Sequence, residues 1–270
     1  MFTGTYTALI TPFRNGDLDV EAFRVLIDRQ AEAGIDGIVP VGTTGESPTL
    51  DTTEHLEVIA YAIEFAAGRL KVLAGTGANS TREAIHLTQE AERLGANDSL
   101  QVCPYYNKPS QEGLYQHFKA VADETSLPIM LYSIPGRSVI QIDVETTARL
   151  AADCPNIVSI KEAGGSVDRV NQLVQAIPDE FEIACGDDPL TLPFFACGAS
   201  CLVSVAGNLI PDIMARLVRA CANGSFDEAL ELQKKYYPLM HTLMTIDTNP
   251  VPIKSAVSLL GLCTAEFRRP

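Results

Sequence analysis

A chain of 270 residues that is 46% hydrophobic and 20% charged has enough apolar side chains for a sizeable core, which excludes a disordered or fibrous protein. Its 34 acidic against 20 basic residues give a net charge of −14, which repels phosphate backbones and anionic lipid surfaces, so neither nucleic acid nor membrane is an expected partner. No apolar run is long enough to cross a bilayer and no basic leader with a hydrophobic stretch follows Met1, so the expected location is the cytoplasm.

Short β-rich runs recur every 25 to 30 residues, each followed by a segment with helical spacing. In chain order they are YTALITP from Tyr6, GIVPVG from Gly37, KVLAGT from Lys71, SLQVCP from Ser99, PIMLYSI from Pro128, IVSIKEA from Ile157, FEIACG from Phe181 and CLVSVA from Cys201. Asp51 with Glu54 and Ser80 with Glu83 mark helix starts, because an acceptor side chain three residues before Glu satisfies amides of the first turn. Strands apolar on both faces, joined by crossovers that hold a helix, call for a parallel sheet covered by helices. Eight such units predict an α/β fold, a closed (β/α)8 TIM barrel over residues 1–222. A doubly wound open sheet is the competing architecture, but eight evenly spaced units with no Gly-rich dinucleotide turn fit closure better. Residues 223–270 read as an appended C-terminal helical region packed on the barrel, with no linker before it.

Seven scattered cysteines without a CxxC pair read as reduced thiols in a core. Cys197 and Cys201 could share a helical face as metal ligands but lack a third soft ligand, and the four histidines show no HExxH pattern. No metal site is expected.

Barrel active sites lie where the strands end. There the sequence places Thr43, Thr44 and Glu46, then Gly75 and Thr76, Tyr105 and Tyr106, Tyr132 and Arg137, Lys161, Gly186 and Ser204. Of seven lysines, Lys108, Lys119, Lys234, Lys235 and Lys254 fall in loops or helices open to solvent, and Lys71 opens its strand at the opposite end. Lys161 alone sits near a strand's carboxyl end, where period-two alternation puts it on one face with Ile157 and Ser159 and sends Glu162 to the other. A lysine at its ordinary pKa of ~10.4 has almost no free amine at neutral pH, whereas burial can bring such a group to about 7–8 and make it a nucleophile for carbonyl carbon. A structural lysine paired with a carboxylate is the plainer alternative. Tyr132 occupies the equivalent position on the preceding strand, within reach as a proton shuttle or as packing. In GTTGES, Gly42 and Gly45 let the backbone turn and present amides and hydroxyls to a small anion. Arg137, in IPGRS, has the planar fork that suits a carboxylate at the entrance, though an exposed arginine is the default reading.

GTTGES, PYYNKPSQEGLYQHF, LYSIPGR, IKEAGG, GDD and VSVAGN, in this order, resemble the dihydrodipicolinate synthase family from Thr7 almost to Pro270. GTTGE and a Schiff-base lysine alone indicate only the wider group of pyruvate-dependent aldolases and lyases. The resemblance implies condensation of pyruvate with L-aspartate 4-semialdehyde without a cofactor, a lyase step towards diaminopimelate and lysine. It gives Lys161 as the imine-forming residue, and Tyr132, Thr43 and Tyr106 as a proton relay, with Tyr106 reaching in from a neighbouring subunit. It further implies that amides of Thr43 and Thr44 hold the pyruvate carboxylate, that Arg137 binds the semialdehyde carboxylate, and that Gly186 and Val203 line the pocket.

The runner-up is another pyruvate-dependent aldolase, such as N-acetylneuraminate lyase or a keto-deoxy sugar acid aldolase. YxxPxR, ending at Arg137, speaks for the synthase, and a barrel retained as a sensor or scaffold is disfavoured by the set Lys161, Tyr132, Thr43 and Tyr106. By resemblance the chain forms a homo-oligomer, a dimer or a tetramer of two tight dimers. Ser47, His55, Asn79, Glu83 and Tyr105 resemble an interfacial effector site for lysine, with Thr52 standing where inhibited relatives often have histidine. Ser133 replaces an asparagine and Cys103 a threonine, LGANDSL is more polar than the expected turn before the fourth strand, and relatives usually continue beyond Pro270, so different packing is expected near that end.

Overall fold

The computed structural model describes residues 2–269. Eight parallel strands close into a barrel: β1 (Gly4–Ala8), β4 (Gly37–Val39), β5 (Lys71–Gly75), β6 (Asp98–Val102), β7 (Ile129–Ser133), β8 (Ile157–Glu162), β9 (Glu182–Cys185) and β10 (Cys201–Ser204), with β1 pairing both β10 and β4. Closure removes every sheet edge, which an open doubly wound sheet would leave. The remaining strands, β2 (Phe13–Arg14) and β3 (Asp17–Leu18), form a small hairpin absent from the sequence reading. Its turn is Asn15-Gly16, with φ of 57° and 90°, the pair that a two-residue hairpin turn favours.

The crossovers carry α1 (Val20–Glu32), α2 (Thr52–Ala66), α3 (Thr81–Leu94), α4 (Gln111–Ala122), α5 (Pro135–Ser138), α6 (Val144–Asp153), α7 (Val167–Ala176), α8 (Thr191–Ala196) and α9 (Pro211–Ala222). Then follow α10 (Phe226–Thr245) and α11 (Val251–Leu259). At the head of α2 the Asp51 side chain accepts from the Glu54 amide, and Glu54 returns the bond to the Asp51 amide. Ser80 caps α3 by accepting from the Glu83 amide.

Tyr6, Ala8, Val39, Leu73, Leu100, Met130, Tyr132, Ala184 and Val203 fill the barrel interior. A larger shell between strands and helices includes Leu131, Ile160 and Ile183 with Leu114, Phe118, Leu150 and Leu173. The polar start of β6 is accommodated by hydrogen bonds: Asn97 accepts from the Val72 amide, and Ser99 joins Thr76, Thr88 and Gln101 in a buried network. Ser133 accepts weakly from the Ile142 amide, and the Cys103 thiol faces the Ile140 carbonyl.

Ile157 does not share the inward face with Lys161. The register of β8 against β7 jumps from Ile129↔Ile157 to Met130↔Ser159, a bulge that adds Val158 and reverses the alternation upstream of Ser159. Ile157 therefore joins the outer shell, while Val158 packs against the interior. Cys197 closes α8 and Cys201 belongs to β10, so the two never share a helix.

Candidate active site

Lys161 and Tyr132 are register partners on β8 and β7, both pointing into the barrel near its carboxyl end. Lys161 is 6% exposed and its Nζ lies 4.1 Å from the centroid of the Tyr132 ring. Among the described residues no carboxylate lies within ion-pair distance of that amine. Glu162, next in sequence, projects outward, where its carboxylate is bound by Arg169 Nε at 2.7 Å. Gly186 exists for the lysine stem, since a Cβ there would stand 2.7 Å from Ala163 Cβ and 3.0 Å from Lys161 Cε.

A cavity of ≈ 80 Å³ surrounds this amine, lined by Thr43, Thr44, Tyr132, Arg137, Gly186 and Asn249 among others. It shares Gly42, Thr43, Leu100, Tyr132, Ile134 and Arg137 with a wider, more apolar cavity of ≈ 270 Å³ that continues to Ser47 and Tyr105. Val203 belongs to the interior packing and is not among these lining residues; Val205, two residues on, is.

The turn carrying Thr43 and Thr44 is shaped by its flanks. Val41 and Glu46 take the left-handed conformation, with φ of 49° and 60°, while Gly45 is needed for close approach: a Cβ there would meet Val41 N at 2.9 Å. Gly45 and Glu46 amides donate back to Gly42 and Thr43 carbonyls. No carbonyl among the described residues accepts from the Thr43 or Thr44 amide, which leaves two donors at the cavity for an anion.

Glu46 takes no part in that lining. Its carboxylate accepts from Lys254 Nζ at 2.7 Å and from the Arg268 amide at 3.0 Å. Lys254, expected to reach solvent, is completely buried, because α11 packs it against the Phe13 ring and over Glu46; burial lowers its pKa and the Glu46 contact opposes the shift. Thr76 and Ser204 are likewise turned away, the first into the network with Ser99 and the second towards Asp188.

Arg137 sits on the one-turn helix α5 at the mouth, exposed, with Nη2 donating to the Asn249 carbonyl at 2.6 Å. Asn249 also donates through Nδ2 to Thr44 Oγ1 at 3.1 Å. Its Asn-Pro step signals a turn in sequence but not a site. Asp188, within GDD, is fully enclosed and accepts from Ser204 Oγ and the amides of Val205 and Ala206, tying the loops after β9 and β10 together. Burial raises its pKa against those bonds.

Tyr106 stands apart from the cavities, 88% exposed with φ of 72°. Around the wider cavity, His55 Nε2 pairs with the Gly75 carbonyl at 2.7 Å, and Asn79 Nδ2 donates to the Tyr105 carbonyl at 3.2 Å. Burial lowers the His55 pKa; burial and then Glu83 raise that of Tyr105. Thr52 and Glu83 are on the surface.

The model of the Dihydrodipicolinate synthetase family matches residues 1–270. The chain belongs to this family. It is 50% identical to the 4-hydroxy-tetrahydrodipicolinate synthase of Endomicrobium trichonymphae, over 100% of this chain and 92% of that protein. Among solved structures, the 4-hydroxy-tetrahydrodipicolinate synthase of Methylacidiphilum fumariolicum superposes with a TM-score of 0.99 at 55% identity, covering 100% of this chain and 90% of that one. The dihydrodipicolinate synthase of Aquifex aeolicus gives 0.98 at 48%, covering 100% and 92%. Among the described residues no helix is long and apolar enough to cross a membrane.

Proposed function

We propose that this chain is a lyase that condenses pyruvate with L-aspartate 4-semialdehyde to 4-hydroxy-tetrahydrodipicolinate, the committed step towards diaminopimelate and lysine. The observation that carries this reading is the enclosed Lys161 amine, without a carboxylate partner among the described residues, at the mouth of the barrel beside Tyr132. Free amides of Thr43 and Thr44 hold the pyruvate carboxylate near it. Lys161 adds to the keto carbon and water leaves, forming an imine. Loss of a methyl proton then gives an enamine, whose carbon bonds to the aldehyde carbon as the aldehyde oxygen is protonated. The second substrate's amine attacks the imine carbon and displaces Lys161 as the ring closes. Tyr132, Thr43 and a neighbouring subunit's copy of Tyr106 pass the protons, and Arg137 takes the semialdehyde carboxylate.

The outward position of Tyr106 supports a homo-oligomer whose sites are completed across an interface, as a dimer or a dimer of dimers. Ser47, His55, Asn79, Glu83 and Tyr105, with Thr52 at the rim, form the effector site for L-lysine; absence of heat on titrating millimolar L-lysine in a calorimeter would remove this assignment. The reaction is tested by borohydride reduction in the presence of pyruvate, followed by peptide mapping, and by a coupled assay set against cleavage of N-acetylneuraminate. A reduced adduct on Lys161 and turnover with the semialdehyde are expected. Turnover of the sugar acid alone would overturn the reading.

A further inference from the structure

The second substrate of the proposed reaction carries an ammonium beside its carboxylate, and ring closure requires that ammonium to become an amine. Two side chains at the cavity match this need. Asn249 is 8% exposed, lines the cavity and holds a buried Oδ1 with no donor among the described residues. Asp187 lines the same cavity, and its Oδ1 is likewise buried without a donor. Buried oxygens normally find donors, so two such acceptors beside one cavity suit a ligand that brings N–H groups.

Their placement fits an α-amino acid end. Carboxylate and ammonium share one carbon, so the ammonium subsite must adjoin the carboxylate subsite. Asn249 does adjoin it: its carbonyl accepts from Arg137 Nη2, and its Nδ2 holds Thr44 Oγ1. Asp187 follows Gly186, the glycine packed against the Lys161 stem, and lines the same cavity as Lys161.

We propose that Asp187 and Asn249 form the subsite for the α-ammonium of the aldehyde substrate, Asn249 as a neutral acceptor and Asp187 as the base that deprotonates it before ring closure. The proposal rests on the reaction proposed above. One N–H bond of the ammonium breaks and its proton passes to the Asp187 carboxylate. The freed lone pair bonds to the imine carbon, the bond from that carbon to Lys161 breaks, and Lys161 departs as an amine after protonation. Burial first, then the neighbouring Asp188, raise the Asp187 pKa to about 6, while His241 on α10 opposes the shift. A carboxyl in that range is a better proton acceptor than an ordinary aspartate and still ionised at neutral pH.

The test uses Asp187→Asn, which keeps the shape, and Asp187→Ser, which removes the carboxylate by a different truncation. Borohydride trapping of pyruvate on Lys161 should match wild type in both, showing that the site is folded and the first half-reaction intact. With aspartate semialdehyde, kcat/KM should fall about 10²-fold, whereas inhibition by succinic semialdehyde, which lacks the ammonium, should shift by less than about twofold. Equal losses with both aldehydes, or no loss with either, would overturn the assignment. Absence of pyruvate trapping in wild type would instead remove the underlying reaction.

Discussion

Lys254→Met is expected to destabilise the fold far more than a surface lysine substitution. The methionine keeps most of the apolar stem against the Phe13 ring but deletes the charge that faces Glu46 at 2.7 Å. Glu46 cannot turn to water, since it is 7% exposed, and its other oxygen is already engaged by the Arg268 amide. An enclosed carboxylate left with one backbone donor costs about 3–5 kcal/mol. At roughly 2–3 °C per kcal/mol for a chain of this size, the melting temperature should fall by roughly 6–15 °C. Because burial outweighs the Glu46 contact in lowering the Lys254 pKa, the ammonium itself is disfavoured in this place, so removing both charges should restore most of the loss. The measurement is urea unfolding at fixed protein concentration for wild type, Lys254→Met, Glu46→Gln and the double variant. A single Lys254→Met loss below about 1 kcal/mol, or a double variant that simply adds the two single losses, would refute the reasoning.

Tyr132→Phe removes one hydroxyl from a ring that stays packed in the barrel; kcat should drop by about 10²–10⁴ with pyruvate trapping retained and thermal stability near wild type. His117 is buried beside Phe118 with Thr81 Oγ1 on Nδ1, and burial lowers its pKa to about 4 from 6.5. Between these values the unfolded chain binds a proton that the folded chain does not, so this contribution is present above pH 6.5 and is lost as pH falls towards 4; the gap is worth roughly 3 kcal/mol. The stability difference between wild type and His117→Gln should therefore shrink by that amount from pH 7 to pH 4. Comparing the two proteins cancels the opposite trend from Asp98, whose pKa burial raises to about 6.

The barrel was legible because parallel strands covered on both faces read as continuous apolar runs, and all eight runs became barrel strands. Lys161 and Tyr132 were legible as register neighbours for the same reason. What escaped has local causes. The bulge at Val158 carries no glycine or proline, so simple alternation misplaced Ile157 while leaving Lys161 correctly inward. The hairpin did have its signal in Asn15-Gly16, but its strands have two residues each and show no periodicity. Asn249 reads as a turn residue, and only the fold brings it to Arg137 and Thr44, at sequence separations of 112 and 205.

Lys161 and Lys254 show how one residue type serves two ends. Both are enclosed, at 6% and 0% exposure, and both lie over an aromatic ring. Their difference is the carboxylate. Glu46 holds Lys254 Nζ at 2.7 Å, so Lys254 is a clamp between α11 and the turn that presents Thr43 and Thr44. Lys161 also has a carboxylate next to it in sequence, but alternation along β8 sends Glu162 to the opposite face and Arg169 engages it there at 2.7 Å. The strand thus brings Lys161 and its adjacent acid to opposite sides of the sheet, pairs the acid with Arg169 outside and leaves Lys161 with no carboxylate partner among the described residues inside. Moving the lysine one residue along the strand would exchange these surroundings and leave the cavity without a nucleophile.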